Sequence, residues 1–149
     1  MKTFSLSTNL KNVCLIVALF FIASCASISS FDQYAYIQTT SIKVDALETM
    51  DMAKDEYASH EKNVLELQNK LQKIYEYEKN RPKNEITLKL WDTLLDKNGH
   101  LLGGFIVRWQ KEQKLNETYI IEAKKLVDKA FDQIAGLESK KISSADLSK

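Results

Sequence analysis

Apolar and small residues recur at helical spacing over most of the chain. From Phe31 onward, Ile37, Ser41, Val44, Leu47, Met50, Tyr57, Val64, Leu67, Leu71 and Ile74 follow one another by threes, fours and their sums. That is the period of one helix face. No proline or glycine interrupts residues 31–81. The spacing therefore predicts one long first arm of about 49 residues, about 73 Å at 1.5 Å per residue. Its weakest part is 53–62, where Tyr57 is the only large residue on the seam, and a bend is expected there.

Arg81-Pro82-Lys83-Asn84 ends this run. Proline disfavours a helical conformation in the residue before it. Asn84 suits the N-cap of a second helix, with acidic Glu85 in its first turn. That helix runs from Glu85 to about Asp96 and turns Leu88, Trp91, Leu94 and Leu95 inward. Gly99 fits the position just past its end. His100 to Gly104 make a second break. A third helix starts near Gly104 and ends near Ser139, with Phe105, Trp109, Tyr119, Ala123, Leu126, Ala130, Ile134 and Leu137 in register. Lys140 to Lys149 is polar and is expected to fray.

These lengths predict an all-α fold. Glu85–Ser139 matches the first arm, which favours an elongated antiparallel helical hairpin whose second arm is kinked at Gly99–Gly104. If that link is a full reversal, the alternative is a three-helix bundle. The four glycines and single proline all lie between Pro82 and Gly136, sparing use that suits long helices.

The N-terminus carries a different pattern. Lys2 and Lys11 precede an uninterrupted apolar stretch, Val13 to Ala23, and no acidic residue occurs among positions 1–24. About 11 residues fit a signal-peptide core of 7–15. A bilayer-spanning helix needs roughly 17–25. Small residues follow at once. Ile22-Ala23-Ser24-Cys25 is an apolar residue, two small ones and a cysteine. It resembles the lipobox of bacterial lipoproteins.

The resemblance covers only the first 25 or so residues. It implies that the Cys25 thiol takes a diacylglycerol, that the peptide bond before it is cut, and that the new amine is acylated. By that family's sorting habit, Ala26 rather than Asp after the cysteine implies the outer membrane of a Gram-negative cell, with the domain facing the periplasm. Two or three acyl chains would hold the chain on a membrane. An ordinary small-residue cleavage at the same place would instead release a secreted protein. Cysteine usage favours lipid: Cys14 lies in the discarded stretch, so a processed chain keeps Cys25 alone and can form no internal disulfide. The expected organisation is a signal peptide at 1–24, a lipidated tether at 25–30, a helical domain at 31–139 and a polar tail at 140–149. Residues 26–30 span less than roughly 20 Å.

Processing removes two of the 21 basic residues and none of the 20 acidic ones, so the formal charge becomes −1. A mixed, nearly neutral surface gives no electrostatic footprint for nucleic acid and no strong attraction to anionic lipid. Metal chemistry is not expected. Placing Gly99 at position 6 of a calcium loop puts Leu94 and Phe105 where oxygen ligands belong. His60 and His100 are the only histidines, too few for a zinc site. Asn116-Glu117-Thr118 matches a glycosylation sequon that a bacterial lipoprotein would leave unused. The acidic residues scatter over solvent-facing helix positions, as in the ordinary surface pairs Glu85–Lys89 and Glu122–Lys125. No nucleophile–base arrangement emerges, and neither an enzyme nor a cofactor is expected.

What remains is binding. A narrow hairpin has little interior, so some large side chains should reach the surface as interfaces. Two regions stand out. One is the hairpin end from Tyr75 to Asn84, with Tyr75, Tyr77 and Arg81, expected to lie farthest from the lipid. The other is the glycine-rich break with His100, Leu101, Leu102 and Phe105. The leading expectation is an anchored envelope protein that binds another protein or itself, with an accessory or exclusion type as its more specific form. The other is a helical module that holds an apolar small molecule or lipid.

Overall fold

The first arm does not form one rod. The computed structural model describes residues 31–148, and there the run folds back on itself. Helix α1 spans Gln33–Asp51, a 3₁₀ turn covers Met52–Lys54, and α2 spans Tyr57–Lys79. The second arm divides into α3 (Glu85–Leu95), α4 (Leu102–Glu112) and α5 (Glu117–Glu138). No strand occurs among the described residues. The expected signal peptide, Cys25 and the expected tether lie outside them.

The protein is all-α and its neighbouring arms are antiparallel. Side-chain pairs fix the directions. Tyr34 meets Tyr77 across α1 and α2, at 4.8 Å between ring centroids. Tyr75 donates to Asp92 across α2 and α3. Lys43 of α1 pairs with Asp128 and Asp132 of α5, at 2.8 and 2.6 Å. The α3–α4 segment is a single kinked arm, so the chain runs down, up, down and up. Helix α1 packs most extensively on α5, and then on α2. A 22-residue helix such as α5 is about 33 Å long, less than half the expected rod.

The bend expected within 53–62 is a complete reversal, made without glycine or proline. Asp55 and Glu56 are extended, and the helix restarts at Tyr57. A second reversal at 113–116 was not foreseen. The two turns satisfy each other. The Tyr57 N–H donates to the Gln113 carbonyl and the Leu115 N–H to the Ala53 carbonyl, both at 2.8 Å. The fully buried Trp109 indole donates to the carbonyls of Asp55 and Gln113, both at 3.1 Å. Gln113 takes a left-handed backbone, φ 63°. Asn116, noticed in the sequence only as a sequon, is the N-cap of α5, and its side chain accepts from the N–H groups of Thr118 and Tyr119.

The seam of α2 is as expected: Tyr57, Val64, Leu67, Leu71 and Ile74 are all buried. The seam of α1 is as expected only at its end, where Met50 is buried and Leu47 packs against the core. Ile37 and Val44 are 49% and 54% exposed, and Ser41 is exposed as well. The inward face is Ala35, Thr39, Ile42, Ala46, Thr49 and Met50. Small side chains there bring α1 close to its neighbours, so this helix carries apolar residues on both sides. On α5, Leu126 points out, and Ile120, Val127 and Phe131 fill the core. Phe131 sits edge-on to Trp91 of α3.

Gly99–Gly104 is a kink, as the matched-arm reading required. Its glycines are needed for space. A Cβ on Gly103 would run into the Leu95 carbonyl, and one on Gly104 into the Gly99 carbonyl. Backbone cannot yield as a side chain can. Gly104→Ala is therefore expected to cost about 1–3 kcal/mol, as overpacking does. A Cβ on Gly136 meets only the flexible Ile142 side chain, so Gly136→Ala should sit within about 1 kcal/mol of wild type. Equal melting temperatures for the two variants would refute this account of the kink. Ile142 also shows that the start of the polar tail folds back on α5, where its N–H donates to the Gly136 carbonyl.

Candidate functional site

The reversal of the first arm relocates one predicted site. The end from Tyr75 to Asn84 was expected to lie farthest from the tether, and its Tyr77–Asn84 part does not. It lies beside the start of α1 instead. The Tyr77 hydroxyl donates to Asp32, the N-cap of α1, at 2.7 Å. Arg81 is not a surface residue: its side chain is 8% exposed and enters a buried ionic cluster. Its Nη1 donates to Glu78 at 2.7 Å and to Glu138 at 2.6 Å, while Nε lies 3.6 Å from Asp32. Asn84 donates to both the Glu78 carbonyl and its carboxylate. The start of α1 and the ends of α2 and α5 thus meet on one guanidinium, whose planar fork suits several carboxylates at once.

This cluster holds three acids against one cation. Burial pushes the Glu78 carboxyl above its ordinary value, and Arg81 and Asn84 only partly oppose the shift. Burial raises Glu138 in the same way, with the nearby Glu78 charge adding to it. Asp32 moves the other way. The Ala35 N–H holds its carboxyl below the usual range, helped by Tyr77 and Arg81. A carboxyl raised in the folded state contributes stability that is complete below its unfolded pKa and is lost as pH rises through the folded value. A lowered carboxyl contributes stability that is lost as pH falls through its folded value. The fold should therefore gain stability from neutral pH down to mildly acidic pH, then lose it as Asp32 protonates. Glu78→Gln keeps an oxygen for Arg81 and removes one buried charge. It should add about 1 kcal/mol at pH 7 and flatten the rise. Urea melts across that range check it, and a destabilised Glu78→Gln protein would contradict it.

The glycine-rich break holds the best-formed cavity. A groove of about 370 Å³ opens between α2 and the α3–α4 kink. Its floor is Leu71, Leu95, Leu102 and Ile106. Its rim is Gln68 and Gln72 of α2, Gln110 of α4, Tyr75 and Lys97. No acidic residue lines it. Two predicted residues, Tyr75 and Leu102, meet here. The α2 and α4 rim positions, absent from the sequence prediction, come together only because both helices expose an edge at the kink. Phe105 is buried and stacks on Tyr119, with ring planes 4° apart. Leu101 packs against the core. His100 lies on another side of the kink, in a broader concavity beside Tyr119 and Leu126.

Groups of acidic, histidine or cysteine residues able to hold a metal ion are absent among the described residues. No described helix is long and apolar enough to cross a membrane. The chain matches no protein-family model, no curated protein and no solved structure.

Proposed function

We propose that this chain is a lipid-anchored envelope protein whose helical bundle binds a partner protein through the groove at the α3–α4 kink. The lipobox resemblance at Ile22–Cys25 supports the anchor, and Ala26 supports the outer membrane. The observation that carries the binding role is the groove itself: an apolar floor, a rim of amides and one lysine, and an opening onto solvent. That combination suits one or two apolar side chains of a partner, with rim hydrogen bonds fixing their orientation. No part of the reading calls for catalysis.

A second reading is an apolar small molecule in the same groove. Its volume favours this reading, since ligand pockets run from about 300 to 1,000 Å³. The surroundings favour a protein, because Gln68, Gln72, Val107 and Gln110 are all exposed and leave a bound ligand largely uncovered.

Site-specific photocrosslinking in intact cells separates these readings. A photoreactive residue at Gln72 or Gln110 is expected to give a discrete adduct with an envelope protein, or an adduct of two chains if the partner is a second copy. The same probe at Lys62 should give none. Absence of any protein adduct from the groove, with an apolar compound co-purifying, would replace the first reading by the second. Intact mass of the membrane-extracted protein tests the anchor. Wild type should match residues 25–149 plus acyl chains, and Cys25→Ser should lose them.

A further inference from the structure

Lysines far apart in sequence collect at one end of the bundle. Lys79 closes α2, Lys83 sits in the turn before α3, and Lys140 and Lys141 follow α5. All four are exposed. The Arg81 cluster joins exactly those chain ends, because Glu78, Glu138 and Asp32 all meet its guanidinium. It also absorbs Glu78 and Glu138, leaving Glu76, Glu85 and Asp146 as exposed carboxylates nearby, Asp146 beside Lys140 and Lys141. The opposite end is mixed, with Asp55, Glu56, Glu112 and Glu117 among Lys54, Lys111 and Lys114.

The lysine end also holds an uncovered apolar patch. Phe31, Tyr34 and Tyr77 are 52%, 53% and 37% exposed, and Ile37 continues the patch one turn down the outer face of α1. Residues 33–42 contain no charge at all. A helix that is apolar all round is ordinarily covered on every side, so an apolar outer face calls for a second neighbour outside the bundle. Aromatic side chains beside lysines are the composition that settles at a lipid headgroup boundary.

The length of chain before Phe31 says what that neighbour is. Five residues, 26–30, separate Cys25 from Phe31 and span less than roughly 20 Å. If Cys25 is acylated, this end cannot leave the membrane surface. Confinement by so short a tether gives an effective concentration on the order of millimolar, at which weak docking is populated.

We propose that this end of the bundle rests on an anionic lipid surface, with Phe31, Tyr34, Ile37 and Tyr77 in the interface and Lys79, Lys83, Lys140 and Lys141 against the headgroups. The proposal rests on acylation of Cys25. It orients the molecule: α1 lies against the bilayer at its start, and the Trp109 end points away from it.

The test uses the acylated full-length product reconstituted into phosphatidylcholine vesicles with or without phosphatidylglycerol. Acylation consumes the Cys25 thiol, so a fluorophore can be placed at Ile37→Cys or, at the far end, Lys62→Cys. With phosphatidylglycerol, the Ile37 probe should be quenched by spin-labelled lipid and shielded from aqueous iodide, and the Lys62 probe should behave in the opposite way. Changing the four lysines to glutamine should return the Ile37 probe to water, the docked-to-free ratio falling about five-fold per lysine, while the protein stays on the vesicles. Vesicle-bound protein with both probes equally open to iodide would overturn the docking and leave the anchor standing. A crosslink between two chains at Ile37 that persists in detergent would overturn it in favour of a second copy. A membrane-extracted product whose intact mass shows no acyl chain on Cys25 would overturn anchor and docking together.

Discussion

Arg81→Ala is expected to destabilise the protein by about 3–5 kcal/mol at neutral pH, the usual result of removing one partner from a buried ionic group. Domains of this size are stable by only about 5–15 kcal/mol, so the variant should lie close to its unfolding threshold. The cause is specific. Glu78 and Glu138 would be left side by side, almost without solvent, and with no cation. The diagnostic is pH. Both carboxyls already stand above their ordinary values, and without Arg81 they should rise further. Acidification should therefore restore much of the lost stability. Arg81→Lys should recover only part of it, because one ammonium cannot reach Glu78, Glu138 and Asp32 with the guanidinium's fork. A urea midpoint for Arg81→Ala within about 1 kcal/mol of wild type at pH 7 would mean that the cluster is incidental.

Trp109→Ala should cost a similar amount at the other end. Removing a buried tryptophan costs about 3–5 kcal/mol through lost burial and the cavity left behind. Here the indole also donates to two turn carbonyls, Asp55 and Gln113, which would lose that partner. Trp109→Phe separates the two effects. It keeps an aromatic ring against Tyr57, now 5.3 Å away and edge-on, and removes the donor. A loss of about 1–2 kcal/mol is expected from the donor alone. Hydrogen exchange at the Tyr57 and Leu115 amides should quicken in both variants, since these two groups bridge the turns. Unchanged exchange there would show that the turns hold together without the indole.

The sequence disclosed some of this plainly. Val64, Leu67, Leu71 and Ile74 are large, inward and regularly spaced, so α2 was legible. The Gly99–Gly104 break was legible from its glycines, but a kink and a reversal stayed open there, because the matched arm lengths that favoured a kink belong to arms that each fold back. Helix α1 was not. Most of its inward face, Ala35, Thr39, Ala46 and Thr49, is too small to compete with the outward Ile37 and Val44 in a pattern of large apolar residues. The reversals at 52–56 and 113–116 were hidden for another reason. Their backbone groups are satisfied by each other and by Trp109, across more than fifty residues, and no local glycine or proline marks the first of them. Asn116 did carry a local signal, an N-cap before an acidic residue, but its match to a sequon masked it. At the candidate site, Tyr75 and Leu102 were in hand. Gln72 and Gln110 were not, since nothing about a solvent-facing glutamine shows that it borders a groove. The four lysines at 79, 83, 140 and 141 were equally silent, because net charge carries no information about where a fold gathers it.

The pairing of α1 with α5 governs how the chain can mature. The first helix finds its largest partner in the last one. During synthesis or translocation, α1 and α2 can pair as soon as both have emerged, but the broad side of α1 must wait for residues 117–138. Until then Ile42 and Ala46 lack their cover, and the ammonium of Lys43 lacks Asp128 and Asp132. The nascent chain therefore passes through a stage in which the α5-facing side of α1 is open to solvent, and it closes only once residues 117–138 have emerged. Until then the chain is in its most adhesive state.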